Sequence, residues 1–175
     1  MNAIVAVTAD WGIGLKGDLL INEKADMRHF VEHTRGATVV MGDRTLASFP
    51  GGRPLKGRRN VVLTIDPELV APACAEGTSC EIVYSIEEAL ATVAGDDPSR
   101  VWAIGGASVY RQLLPYCTYA YITKFDVTLP ADVYFPDLDA DPQWHVIEEG
   151  ANHYTQDGVR YRFLTYENDA PVACA

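Results

Sequence analysis

Apolar residues in this chain fall into short continuous runs, separated by segments in which they recur at helical spacing. The runs Ala3 to Ala9, Ala37 to Met41, Val61 to Thr64, Glu81 to Tyr84 and Val101 to Ile104 predict strands, several of them apolar enough to be covered on both faces. Between them, Met27, Phe30 and Val31 form a stripe on a helix from about Glu23 to Thr34, capped by Asn22 and ended by Gly36. A short helical turn passes through Arg44, Thr45 and Leu46, and Ser85 caps a helix to about Val93 with Glu87 and Glu88 in its first turn. Val109 with Leu113 and Tyr110 with Leu114 mark another helix. Further on, Cys117 to Phe125 has the aromatic and β-branched content of a strand, and Asp132 to Phe135 is a short one. His145 to Glu149 and Val159 to Tyr166 alternate apolar with polar residues, predicting antiparallel strands with one wet face and a turn near Asp157-Gly158. Alternating β and α units with an antiparallel end give an α/β fold with a mixed sheet.

Two junctions stand out. VWAIGG at 101 to 106 is a strand entering a Gly-Gly turn before a helix, and Gly42 repeats the pattern after the strand at 37 to 41. Glycines let a ligand approach the backbone, and a helix start points unpaired N–H groups at the same corner. Each corner therefore reads either as a phosphate site or as a close-packed turn, and together they would bracket a diphosphate. Residues 10 to 22, DWGIGLKGDLLIN, show no sustained period and predict a long loop that can move while packing its apolar residues over something.

Composition narrows the possibilities. At 175 residues and 48% apolar content, one domain is the default. Lys and Arg number 14 against 24 Asp and Glu, a net charge of −10, which disfavours a broad nucleic-acid or anionic-membrane surface. Against that background Arg53, Lys56, Arg58 and Arg59 make one cationic loop, either solvated or an anion site. Cys74, Cys80, Cys117 and Cys174 show no CxxC pair, and the four histidines lack ligand spacing, so neither metal nor disulfide framework is expected. No leader-like segment or spanning apolar stretch is visible, which predicts a soluble, cytoplasmic protein. Asp26, beside the Met27 and Phe30 stripe, has two readings. It complements the helix dipole, or it is a semi-buried acid that pairs with the N–H groups of a ligand.

These residues, in order, carry a resemblance. WGIG at 11 to 14, Asn22 with Asp26 and Phe30, VVMG at 39 to 42 with Thr45, GRPLKGRRNVVLT at 52 to 64, AIGGASVYRQLLP at 103 to 115, YITKFD at 121 to 126 and DVYFPD at 132 to 137 together resemble the dihydrofolate reductase family. The resemblance implies a single domain over residues 1–167 with a tail at 168–175. Its three layers would be a central, mostly parallel eight-stranded mixed sheet with helices on both faces and an antiparallel C-terminal strand. It implies reduction of 7,8-dihydrofolate to tetrahydrofolate with a reduced nicotinamide cofactor, in one-carbon metabolism, with antifolates as further ligands. It also implies a monomer with neither a nucleic-acid nor a membrane partner.

Position by position, Asp26 would accept hydrogen bonds from the pterin N3 and 2-amino groups, with Thr123 sharing that polar end. Leu19 would be where the active-site loop reaches the nicotinamide. Ile4, Val5, Ala6, Phe30, Phe49, Leu55, Ile104 and Tyr110 would complete the substrate site, and Arg58 would pair with the substrate's α-carboxylate. The cofactor would meet Ala6, Ile13, Gly14, Gly42, Asp43, Arg44, Thr45, Leu63, Thr64, Ile65, Ile104, Gly105, Gly106, Ala107, Ser108, Val109 and Tyr110.

The chain departs from the pattern at several positions. Ile21 stands where many members carry Trp, Leu20 in place of a frequent Pro, and Glu23-Lys24 where an apolar residue and Pro are usual. Asp43 and Ile65 stand where the family commonly places Arg at the first and Ser or Arg at the second, near the adenosine 2′-phosphate. NADPH is the implied cofactor, and these two residues open the site to NADH. Two alternatives remain, a riboflavin-pathway reductase of the same fold and a noncatalytic folate- or nucleotide-binding protein. Neither corner has the GxGxxG spacing of a Rossmann dehydrogenase.

Overall fold

The computed structural model describes residues 1–173. In chain order it forms β1 (Asn2–Val7), β2 (Gly12–Leu15), β3 (Asp18–Leu19), α1 (Lys24–Thr34), β4 (Thr38–Gly42), α2 (Asp43–Ser48), β5 (Arg59–Leu63) and β6 (Ser79–Val83). There follow α3 (Ile86–Val93), β7 (Val101–Gly105), α4 (Ala107–Leu113), β8 (Tyr119–Phe125), β9 (Val133–Tyr134), β10 (Trp144–Glu149), β11 (His153–Tyr154) and β12 (Arg160–Asn168). The strand order is β10-β12-β8-β1-β7-β4-β5-β6, with β11 added on β12. The pairings from β8 through β1, β7, β4 and β5 to β6 are parallel, and those of β12 with β8, β10 and β11 are antiparallel. This is the mixed α/β sheet expected; the short β11 makes the main sheet nine-stranded among the described residues.

Strand parity explains why the apolar runs are continuous. Ala3, Val7, Val40, Val61, Val101 and Ala103 point into one core with Leu90 of α3 and Val109 and Leu113 of α4. Ile4, Val39, Met41, Val62, Trp102 and Ile104 point into a second core with Leu46 of α2, against which Phe30 of α1 packs. Each run thus feeds two apolar layers, and helices cover both faces.

The structure corrects several details. Glu23, not Asn22, caps α1, its side chain accepting from the Ala25 N–H. The Arg35 N–H then donates to the Val31 carbonyl, and Gly36 follows at φ 63°. The α1 stripe is not buried in the core: Met27 is 50% exposed, Phe30 and Val31 are half-buried, and Thr34 is the helix's buried residue. Residues 10 to 22 are not a structureless loop. They hold the β2–β3 hairpin, which pairs with β9 in a separate three-stranded sheet. Trp11 and Lys16 take positive φ to make its turns, which hid the strands from a reading based on period. The expected tail at 168–175 begins one residue later than the end of β12, since Asn168 is buried and its Nδ2 donates to the Cys117 carbonyl. Cys174 lies outside the described residues.

Candidate active site

Helix α1 lies across the cleft face of β1 and β8. The parallel register pairs Ile4 with Tyr121 and Ala6 with Thr123, so these four side chains share that face. Asp26, in the first turn of α1, has the buried Thr123 hydroxyl as a polar neighbour. Burial pushes its carboxyl above the usual carboxylate range, Thr123 offsets part of this, and the neighbouring Glu23 charge adds to the rise. Tyr110 is buried, and its hydroxyl donates to the Ile4 carbonyl at 2.8 Å. Burial raises its pKa, and the Asp26 charge adds to the rise.

Phe30, Phe49 and Leu55 are half-buried against the core that contains Ile4 and Ile104. They make one apolar wall that leads from Asp26 to Arg58. The Arg58 guanidinium lies 5.9 Å from the Phe30 ring centre. Its Nε donates to Thr34 Oγ1 at 3.0 Å and its Nη1 to the Lys56 carbonyl at 2.8 Å. These bonds fix the planar fork while leaving Nη2 for a carboxylate. Arg59 is different and is not simply exposed: it donates to Glu81, Asp96 and the Thr92 carbonyl, a structural network.

The two glycine corners adjoin. A Cβ at Gly42 would lie 3.5 Å from Val109 Cγ2 and 3.9 Å from the Gly106 nitrogen. One at Gly105 would lie 3.4 Å from the Tyr110 ring, and one at Gly105 or Gly106 would lie 3.5 Å from Thr45 Oγ1. Gly105 has φ 121°, and the Gly105–Gly106 peptide is cis. Bare backbone and one hydroxyl therefore form a concave cradle where side chains would intrude, which fits a dinucleotide diphosphate. Beside it, Asp43 Oδ2 accepts from Thr64 Oγ1 at 2.5 Å and Oδ1 from the Arg44 N–H at 2.6 Å. The Arg44 side chain is exposed.

Not every expected residue presents its side chain to this cleft. Val5 faces the opposite core from Ile4, so only its backbone reaches the cleft side. Val109 is likewise a core side chain, and Ile13 packs in that same core. Leu63 packs at its edge, and Thr64 is buried beside Asp43. Ala107 is half-buried, whereas Ser108 is exposed and its Oγ accepts from Gln112. Leu19 is 73% exposed on β3 and Ile65 94% exposed beyond β5. Gly14 lies in the β2–β9 pairing, its carbonyl accepting from the Asp132 N–H at 3.1 Å. Asp132, missed at the level of sequence, also accepts from the Lys16 N–H through Oδ2 at 2.9 Å and pins the hairpin. No spacing signal joins residues so far apart. Thr34, which orients Arg58, was equally hidden behind its place at a helix end.

A dinucleotide cradle, a semi-buried acid and a half-clamped arginine at the far end of an apolar wall define a nicotinamide-dependent reductase of the α/β class. The sequence matches the family model for dihydrofolate reductase over residues 1–168, and the chain belongs to the dihydrofolate reductase family. It is 39% identical over 158 residues to a dihydrofolate reductase of Mycobacterium tuberculosis, covering 88% of this chain and 89% of the relative. It is 32% identical over 166 residues to one of Bacillus subtilis, covering 94% and 92%. Its fold is similar to a dihydrofolate reductase from Enterococcus faecalis solved with NADP(H) and the compound RAB-propyl: TM-score 0.80, 29% identity, covering 96% of this chain and 95% of that one.

Proposed function

We infer that this chain reduces 7,8-dihydrofolate to tetrahydrofolate, with Asp26 and Thr123 at the pterin end of the cleft and Arg58 at the carboxylate end. The observation that supports this reading most directly is the raised acid on α1 at one end of an apolar wall that has the Arg58 guanidinium at the other. The nicotinamide, when bound, supplies the hydride that reduces the pterin C6. Gly42, Thr45, Gly105 and Gly106 would hold its diphosphate, and Ala6, Ile104 and Tyr110 would border the ring. NADPH is the cofactor by likeness to the Enterococcus faecalis enzyme, and Asp43 with Ile65 leaves NADH usable.

Asp26 would accept hydrogen bonds from the pterin N3 and 2-amino groups. Held above the ordinary carboxylate range, it also favours a proton at the pterin N5, which must gain one as C6 is reduced. With Ile21 at the position of the usual indole, solvent at the cleft mouth carries that proton. Phe30, Phe49 and Leu55 exclude water from the reacting rings. The hairpin pinned by Asp132 carries Leu19, exposed on β3 opposite Gly14, as a lid residue. The reading extends to a single domain acting as a monomer in the cytoplasm, with small-molecule ligands and antifolates as its partners. No helix among the described residues is long and apolar enough to cross a membrane.

The test is loss of reduced-nicotinamide absorbance on adding dihydrofolate, for wild type and Asp26→Asn. Turnover by wild type and a large loss in the variant support the reading. Binding of both ligands without turnover supports the noncatalytic alternative instead.

A further inference from the structure

The hairpin is rooted in Trp11, whose backbone sits at φ 65° and whose ring is buried. A non-glycine residue in that region needs its surroundings to hold it there. The indole stacks on Phe135 at 6.1 Å and meets the edge of Tyr166 at 6.0 Å. Lys124 Nζ stands 4.1 Å from the centre of the Trp11 ring. That ammonium is fixed in turn. It lies 2.5 Å from Asp139 Oδ2, while the Tyr166 hydroxyl donates to Asp139 Oδ1 at 2.7 Å. The Lys124 side chain is only 14% exposed, and a cation over an aromatic face gains most where water is excluded.

The same indole connects to the cleft. The Trp11 carbonyl accepts from the Phe135 N–H at 2.9 Å, the Phe135 ring meets Tyr110 at 4.8 Å, and Tyr110 borders Gly105. One ion pair between β8 and the segment joining β9 to β10 therefore backs the residue from which the lid departs.

We propose that Lys124, held by Asp139, is a positioning residue: it clamps the Trp11 indole against Phe135 and Tyr166 and thereby keeps the β2–β3 hairpin paired with β9 over the cofactor end of the cleft. Its effect on turnover rests on the reductase reading; its effect on the hairpin does not.

The test compares wild type, Lys124→Met, Lys124→Arg and Asp139→Asn by amide hydrogen exchange without ligands. Reporters are the Lys16, Asp132 and Phe135 N–H groups that bond across the hairpin. Met keeps the aliphatic stem and removes the charge. A lost cation–π contact corresponds to roughly 2- to 30-fold faster exchange at these amides in Lys124→Met, with β4 and β7 unchanged. Asp139→Asn moves the same way and serves in its own right where Lys124→Met does not fold. Lys124→Arg, which can both stack and pair, stays near wild type. The KM for reduced nicotinamide rises by a similar factor in Lys124→Met, and the KM for dihydrofolate stays put. Wild-type exchange in the Met variant overturns the proposal, and so does faster exchange spread evenly over β4 and β7. A wild type that exchanges as described but does not turn over overturns the reductase reading and leaves the clamp standing.

Discussion

Asp26 is held where burial works against its charged form. Its pKa is raised chiefly by burial, so its folded-state value lies above its unfolded value, and the ionised form at neutral pH subtracts from stability. The favourable contribution is complete below the ordinary value of 3.8 and is lost as pH rises through the folded value. Asp26→Asn should therefore melt higher than wild type at pH 7, with the difference closing in acid, while turnover falls by about 100-fold. Thermal scans over a pH series together with kinetics check both halves. Arg58 makes a different kind of prediction. Lys in its place keeps the charge but not the fork held by Thr34 and Lys56, so Arg58→Lys should raise the KM for dihydrofolate roughly tenfold with kcat little changed. The residue types of both were legible in the sequence. Thr123 beside Asp26 came from the family resemblance alone, and Thr34, which meets Arg58 because a helix end abuts a loop, was not foreseen. Neither contact leaves a local pattern.

At the level of elements, legibility followed periodicity. The buried strands and α3, with its Ser85 cap, were read from apolar runs and capping chemistry, because those signals are local. The β2–β3 hairpin was missed because its strands are short and glycine-rich and gain their order from β9, more than a hundred residues away. That the two glycine corners adjoin was not visible in the sequence, because they lie more than sixty residues apart. The α2 corner carries a prediction about the cofactor. Asp43 accepts from Thr64 and the Arg44 N–H and so keeps a carboxylate beside the glycine corner, with the exposed Arg44 as a nearby cation; a 2′-phosphate bound here would add negative charge to that acid. A free 2′-hydroxyl can donate to such an acid. NADH should be used within about tenfold of NADPH in kcat/KM, and Asp43→Arg should shift the ratio toward NADPH by about tenfold or more. Paired assays with the two cofactors decide it, and Arg44→Gln separates the contribution of the remaining cation.

Across the whole molecule, the sheet divides labour between its ends and its faces. The carboxyl ends of β4 and β7 open into the glycine cradle, whereas the opposite end near Arg59 is held by charge. Two adjacent arginines fall on either side of that division. Arg58 turns its guanidinium to the cleft and spends its bonds on orientation, while Arg59, at the start of β5, ties Glu81 of β6 to Asp96 after α3 and to the Thr92 carbonyl. In sequence they are equal members of one cationic loop; in the fold Arg58 bonds to Thr34 and the Lys56 carbonyl, and Arg59 to Glu81, Asp96 and the Thr92 carbonyl. The Arg59 pKa is raised first by its hydrogen bond to Glu81, with burial opposing, so it stays charged and its network persists through neutral pH. Glu81 is half exposed to solvent, which limits what each pair contributes. Removing the guanidinium also strips two carboxylates of their shared partner in a chain of net charge −10, so repulsion adds to the lost bonds. Arg59→Met should cost about 1 kcal/mol, a fall of about 2–4 °C in the melting temperature, and the loss should shrink at high salt as the stranded carboxylates are screened. Its KM for dihydrofolate should match wild type. A rise in KM comparable to that of Arg58→Lys would instead place Arg59 in the substrate site.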